Sequence, residues 1–299
     1  MERLKIAITG ATGFIGSNLV KYFNKDHEVY ALSHTNKNWR LDGLDTIPLD
    51  ISDKQKCNYI LNKIKPDVLV HCAAYGINPF EKDVRKIIAT NIIGTLNVLD
   101  SCKDASLFIN TGSCFEYGIQ NESVKESTKL IPETNYAMSK ALVSNLMQSN
   151  NEVKTVTLRL FTAYGYNEAK HRLIPYLIYS SLFNKTAELS NKNNVRDFIF
   201  IEDVLSAYNL VIKHHEQINN GAVFNVGYGK QTFIEEVVRI VGTNVKWIPS
   251  IRPSEPKRML KADITKIKNE LSWKPKYPLK EGIEKTKKWM LENIKLYEN

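Results

Sequence analysis

Residues 4–16 read LKIAITGATGFIG, and the way this stretch folds decides the rest of the chain. Leu4–Thr9 is an apolar run free of turn residues and reads as a β-strand. Gly10, Ala11, Thr12, Gly13, Phe14, Ile15 and Gly16 follow at GxxGxxG spacing. They lead into Ile15–Asn24, which has helical periodicity. Glycines at such a strand-to-helix turn allow a tight bend. They also let backbone approach a pyrophosphate and let helix and strand pack closely. The free N–H groups and positive dipole end of the helix favour an anion there. The spacing is not GxGxxG, so the turn points to a dinucleotide through its context rather than its letters.

Beyond this unit the alternation continues. Glu28–Leu32, Val68–Cys72, Leu107–Thr111 and Lys154–Leu160 read as strands. Lys54–Lys63, Val84–Cys102 and Tyr136–Asn150 read as helices. Apolar strands alternating with helices predict an α/β fold whose doubly wound parallel sheet is covered on both faces. After about residue 165, prolines break the chain into shorter elements. One further strand–helix pair follows, Asp197–Ile201 and Asp203–Lys213, and Glu281–Tyr297 reads as an exposed charged helix. The expected organisation is a cofactor domain over 1–165, with 196–226 returning to it, and a smaller C-terminal substrate-binding lobe over 166–299.

The chain has 299 residues, 43% hydrophobic and 24% charged, as in ordinary globular proteins. No apolar run approaches the ~18 residues of a membrane span. Ile6-Ala7-Ile8 is too short for an export signal. The four cysteines, at 57, 72, 102 and 114, form no CxxC pair and no zinc pattern. They are expected to be reduced thiols of a cytoplasmic protein without a metal. The formal charge of +9 is spread along the chain without a nucleic-acid-binding signature, so no nucleic-acid partner is expected.

The end of the second strand distinguishes the two nicotinamide dinucleotides. A carboxylate there binds the ribose 2′-hydroxyl of NAD, whereas cations and hydroxyls admit the 2′-phosphate of NADP. Here Ser33 and His34 follow the strand, with Lys37 and Arg40 beyond, and no acid occupies the position. NADP(H) is the expected cofactor. The alternative is NAD(H) held without the acidic contact.

Tyr136 and Lys140 stand four apart on one helix face. A free phenol has a pKa of ~10, and an ammonium at ~4 Å in an effective dielectric of ~20 favours phenolate by on the order of 4 kcal/mol before screening. That brings the phenol towards a useful acid/base range. The pair alone means little, because most such neighbours are surface residues. It gains meaning from Ser113, which ends the fourth strand in TGSCFEYG at 111–118, where ligands of a doubly wound sheet sit. A hydroxyl and a phenol together polarise a carbonyl oxygen.

These stretches resemble the extended short-chain dehydrogenase/reductase family, the NAD(P)-dependent epimerase/dehydratase group acting on nucleotide sugars. The resemblance runs over nearly the whole chain, in order: TGATGFIG at 9–16, LDISD at 49–53, HCAAY at 71–75, TNIIGTLNVL at 90–99, TGSCFEYG at 111–118, YAMSK at 136–140, LRLFTAYG at 158–165, VRDFIFIEDV at 195–204 and IRPSEPKRMLKADITK onward from 251. It implies a Rossmann-type fold, with Asp50 and Ile51 flanking adenine and Ala73, Ala74 and Tyr75 lining the cofactor. It implies Asn91 as support for the lysine, and Ser113, Tyr136 and Lys140 as the catalytic triad. Cys114, Thr162, Arg196 and Arg252 fall at substrate-facing positions, the two arginines on the diphosphate of a nucleotide sugar. It also implies a homodimer formed through the Val84–Cys102 and Tyr136–Asn150 helices.

Departures narrow the reaction. Cys114-Phe115 stands where the 4,6-dehydratases carry Asp-Glu, which removes the acid/base pair for water elimination. The cysteine–histidine pair of the GDP-fucose synthase branch is incomplete, since Asn167 stands at the histidine position and His171 lies close by. Thr162 replaces the family's usual asparagine. The resemblance therefore implies reduction of a nucleotide-linked 4-keto-6-deoxy sugar by NADPH. The alternatives are a 4-epimerase that keeps NAD bound and a non-catalytic NADP-binding module.

Overall fold

The computed structural model describes residues 3–35, 39–41, 43–78, 80–120, 122–190, 192, 194–249 and 260–297. The chain divides into two compact units. One comprises 1–116, 130–159 and 205–224; the other comprises 117–129, 160–204 and 225–299.

In the first unit the opening strand β1 (Lys5–Thr9) pairs in parallel with β2 (Glu28–Ser33) and with β4 (Val68–His71). β2 pairs in parallel with the short β3 (Ile47–Pro48), and β4 with β5 (Leu107–Ser113). The seven-stranded sheet runs β3-β2-β1-β4-β5, then Thr155–Leu160, then Ala222–Val226. The strand order reverses between β1 and β4, and the carboxyl ends there form the crevice where doubly wound sheets bind ligands. The strands are buried on both faces, which is why they read as apolar runs rather than alternating ones. Ala7, Leu69 and Phe108 share one core cluster with Leu61 of α2 (Lys54–Ile64), Val98 of α4 (Gly94–Asp100) and Met147 of α5 (Asn135–Ser149). Helix α1 (Phe14–Phe23) packs against β1 and β2.

The expected helix over 84–102 is interrupted. Val84–Ile87 forms α3, Ile88–Ile93 is one π-helical stretch, and α4 continues to Asp100. The Thr95 hydroxyl donates to the Asn91 carbonyl at 2.6 Å, so a side chain competes with the helix for that acceptor. Bulges of this kind recur at functional sites.

The second unit is built from short strand pairs and helices. Thr162–Tyr164 pairs in parallel with Phe198–Phe200, and Val195–Arg196 pairs antiparallel with Thr232–Phe233. The Asp197–Ile201 stretch thus contributes its strand outside the large sheet, whereas Ala222–Val226 joins it. The buried Asp197 ties this unit together by accepting the N–H groups of Tyr228, Gly229 and Ala262 at 2.8–3.0 Å. Among the described residues no helix is long and apolar enough to cross a membrane.

Candidate active site

The glycine turn follows β1 directly. Gly10 has φ +65°, and a Cβ there would sit 2.6 Å from the Ala73 nitrogen, so only glycine lets the turn close against the end of β4. A side chain on Gly16 would overlap the Gly10 carbonyl. Gly13 is the N-cap of α1 and gives it no side-chain cap. The first-turn N–H groups that begin at Phe14 and Ile15 therefore have no competing side-chain acceptor from the N-cap, as an anion site requires.

Beside the turn, the Thr12 and Ser33 hydroxyls bond at 2.8 Å, and Ser33 Oγ donates to the Thr35 carbonyl. Arg40 folds back to donate to the Thr12 carbonyl at 3.1 Å, with its guanidinium 4.2 Å above the Trp39 ring. The end of β2 thus carries a cation and two hydroxyls and no carboxylate of its own. His34 faces Asp50 across 3.5 Å. Burial raises the Asp50 pKa, but two bonds from Ser52 and the nearby His34 hold it below the usual range. Ile51 is buried, and its carbonyl accepts from Asn97. Lys37 and Arg252 lie outside the described residues.

At the end of β4, the residues after His71 form a loop. The Ala73 N–H donates to Thr9 Oγ1, Ala74 is exposed, and Lys86 lies 4.6 Å above the Tyr75 ring. The Asn91 side chain clasps this loop: Oδ1 accepts the Tyr75 N–H and Nδ2 donates to the Tyr75 carbonyl, both at 2.8 Å. Nδ2 also reaches the hydroxyl of Ser139, the residue before Lys140. The bonds of Asn91 thus go to the neighbours of the tyrosine–lysine helix and of the cofactor loop.

The buried His71 was not singled out in the sequence. Its Nε2 lies 2.9 Å from Thr95 Oγ1 and its Nδ1 2.8 Å from Thr9 Oγ1. Thr95 spends its one proton on the Asn91 carbonyl, so it must accept from His71. His71 is therefore the Nε2–H tautomer, and its Nδ1 accepts from Thr9. Burial, with a smaller contribution from the Lys140 charge, pushes the imidazole pKa down to about 3 and keeps it neutral. This relay ties the dinucleotide turn, the β4 loop and the π-helical stretch into one network.

Ser113 closes β5 and is buried; its hydroxyl accepts the Phe115 N–H at 3.2 Å. The following short 3₁₀ turn begins with Cys114, also buried. Thr134 caps α5 by accepting the Ala137 N–H, which starts the helix one residue before Tyr136. Tyr136 is half-buried, and Gly76 of the β4 loop approaches it so closely that an added Cβ would lie 3.6 Å from the Tyr136 Cβ. Lys140, one turn on, is 4% exposed. Desolvation lowers its pKa, opposed chiefly by the charge of Glu116. Ser113, Tyr136 and Lys140 thus belong to one unit, in which α5 packs against β5, the strand that Ser113 ends.

In the other unit, Arg196 is half-buried and donates to the Val195 carbonyl at 3.0 Å, while Thr162 is half-buried with its N–H bonded to the Asp197 carbonyl. The neighbouring Asp197 carboxylate is buried and accepts backbone N–H groups.

The chain is similar to known proteins over most of its length. UDP-glucose 4-epimerase of Lactobacillus helveticus is 26% identical to the chain, over 99% of it and 100% of that enzyme. GDP-6-deoxy-D-talose 4-dehydrogenase of Aggregatibacter actinomycetemcomitans is 29% identical, over 75% of the chain and 76% of that enzyme. A solved UDP-N-acetylglucosamine 4-epimerase from Methanobrevibacter ruminantium superposes with a TM-score of 0.87 at 26% identity, covering 98% of this chain and 100% of that one. The model of the NAD-dependent epimerase/dehydratase family matches residues 6–227, well over half the chain. With its glycine turn, seven-stranded sheet and tyrosine–lysine helix, the chain belongs to the NAD-dependent epimerase/dehydratase family.

Proposed function

We propose that the chain is an NADPH-dependent reductase of a nucleotide-diphospho-4-keto-6-deoxy sugar. What supports this reading is that Ser113, Tyr136 and Lys140 lie in the same compact unit as the glycine turn and the uncapped N-terminus of α1, which suits a pyrophosphate. The residues fit a dinucleotide: Gly10, Thr12, Gly13 and Gly16 form the cradle, and Phe14 and Ile15 open the helix. Ala73, Ala74 and Tyr75 line its side. Ser33 and Arg40, with no carboxylate at the strand end, suit a 2′-phosphate. Bound NADPH supplies the hydride for the C4 keto carbon.

The chain's own residues complete the reduction. Ser113 donates a hydrogen bond to the keto oxygen and orients it. Tyr136 transfers its phenolic proton to that oxygen as the alcohol forms. Lys140, held as ammonium, stabilises the phenolate left behind and binds the nicotinamide ribose. Arg196 and Arg252 bind the diphosphate, so the first unit serves the cofactor and the second the nucleotide sugar. Two points favour reduction over dehydration and epimerisation. Cys114 and Phe115 stand in the places of the dehydratase acids, and one relative is named GDP-6-deoxy-D-talose 4-dehydrogenase, a name that denotes redox chemistry at C4 of a 6-deoxy sugar nucleotide. The second reading, a 4-epimerase with resident NAD, draws on the relative matched over 99% of the chain.

The deciding experiment offers nucleotide 4-keto sugars with NADPH and with NADH and follows nicotinamide oxidation. Reduction predicts consumption of NADPH and a loss of about 10²–10⁴-fold in Tyr136→Phe, which still binds cofactor. Protein that purifies with NAD and consumes neither reductant is the epimerase. Ile88, Ile93, Met138 and Leu142 are exposed on the two helices of the proposed homodimer face. Sedimentation at twice 34.2 kDa tests that pairing.

A further inference from the structure

The proposed chemistry makes no use of the most deeply buried ion pair near it. Glu116 is 0% exposed, in the turn just after Ser113. Its Oε1 accepts the Ser113 N–H at 2.7 Å, and its Oε2 accepts from Nε of Arg159 at 2.7 Å. Arg159 is 1% exposed, on the strand next to β5. The space is reserved by Gly112: a Cβ there would lie 2.8 Å from Glu116 Oε1 and 3.2 Å from Arg159 Cγ. Burying two charges is an inefficient way to gain stability, since well-packed apolar residues of similar volume often do as well or better. The geometry suggests another use. The carboxylate that grips the Ser113 backbone also acts on Lys140.

Lys140 is stripped of hydration by burial. Of the ionisable groups whose charge bears on it or that its charge bears on, Glu116 lies in the turn after β5 and Cys72 and His71 at the end of β4; Tyr136 precedes it by one turn on α5. Burial keeps His71 neutral and pushes the Cys72 thiol up to about 11, so neither carries charge at neutral pH. Glu116 is the carboxylate of the set.

We propose that Glu116, backed by Arg159, is the positioning residue of this site: it fixes the backbone that carries the Ser113 hydroxyl and supplies the negative charge that holds the buried Lys140 as an ammonium. This rests on the reductase reading in one respect, that Lys140 must be charged to serve Tyr136. Arg159 supplies the countercharge that a buried carboxylate needs, so Glu116 can stay buried beside the site.

The test reads Lys140 directly. In full-length protein carrying Tyr136→Phe, which removes the coupled phenol, trace acetylation with acetic anhydride across pH, followed by peptide mass spectrometry, gives the titration midpoint of Lys140. Adding Glu116→Gln is expected to lower that midpoint by about one pH unit. An unchanged midpoint overturns the proposal. The Glu116→Gln change leaves Arg159 facing an amide, so Glu116→Gln/Arg159→Gln serves as the companion variant. Its midpoint is expected to move the same way but by less, because removing the Arg159 cation also removes a like charge from the neighbourhood of Lys140.

With Tyr136 present, Glu116→Gln is expected to move the alkaline limb of kcat/KM to lower pH. Removing an anion makes the first proton of the Lys140–Tyr136 pair easier to lose, whichever group releases it. A variant with reduced turnover but a wild-type pH profile would show a merely structural role and refute the proposal. The two readings fail separately. Wild-type turnover in Tyr136→Phe defeats the proton-donor assignment and leaves the labelling of Lys140 intact; an unshifted midpoint defeats only the role of Glu116.

Discussion

Each unit buries a carboxylate, and the two are kept in opposite ways. Glu116 of the first unit is paired with a guanidinium and bonded to one backbone N–H. Asp197 of the second is met by backbone N–H groups from two segments of its unit, at Tyr228–Gly229 and at Ala262. Backbone dipoles satisfy hydrogen bonds without neutralising charge, and burial raises the Asp197 pKa to about 6 despite them. One arrangement holds charge beside chemistry, and the other joins strands.

The comparison breaks most visibly at Arg159. Arg159→Met leaves Glu116 buried without its cation, and breaking such a pair destabilises by roughly 3–5 kcal/mol. Urea unfolding should show that loss as a lower midpoint. A loss below about 1 kcal/mol would mean that the pair is no more than an exposed one in energetic terms. The bonds to Asp197 come instead from backbone N–H groups.

The same contrast explains what was legible in the sequence. β1, the glycine turn, α1 and α5 were readable because their signals are local: apolar runs, glycine spacing and an i, i+4 pair. Glu116 and Arg159 were not. Each looked like one letter of a longer motif, and only the sheet order brings the strand after α5 beside β5. A signal existed, in that Arg159 is the one charged residue in the buried strand TVTLRL and so demands a buried partner. The π-helical stretch had no such signal. Its apolar periodicity is that of an ordinary helix, and the features that accompany the interruption, the Thr95 hydroxyl bond and the Asn91 bonds to Tyr75, join residues that no local pattern connects. Asp197 also escaped: in sequence it is only the first residue of an expected strand, whereas its carboxylate accepts from Tyr228, Gly229 and Ala262, 31 to 65 residues away.

His71 sharpens the comparison through pH. Its folded pKa of about 3 lies below the ordinary value of 6.5. The unfolded chain therefore takes up a proton that the folded chain refuses. The stability contributed is present above about pH 6.5 and is lost as pH falls towards 3, at up to about 1.4 kcal/mol per pH unit. His71→Gln retains one donor and one acceptor for Thr95 and Thr9 and does not titrate. The stability of wild type relative to this variant should fall steadily across that window. A constant difference would mean that the ring is protonated inside the relay, which its hydrogen bonds forbid.

Asp197 should behave in the opposite sense and over a narrower range. Its folded pKa of about 6 lies above the ordinary carboxyl value of 3.8. The folded chain therefore binds the proton more tightly than the unfolded chain does. The resulting stability is complete below about pH 4 and is lost as pH rises through 6, again at up to about 1.4 kcal/mol per pH unit. Asp203, also raised to about 6 by burial, contributes equally to wild type and variant and cancels in their difference. Asp197→Asn removes the titration and, with one acceptor oxygen in place of two, leaves an N–H group short of its bond, a loss of about 1–3 kcal/mol. Thermal melts should then show the gap between wild type and Asp197→Asn widening as pH falls from 6 to 4, while the gap for His71→Gln narrows as pH falls. If both gaps move in the same direction, burial is not what sets these two protons, and the contrast between a carboxylate held by cations and one held by backbone N–H groups fails with it.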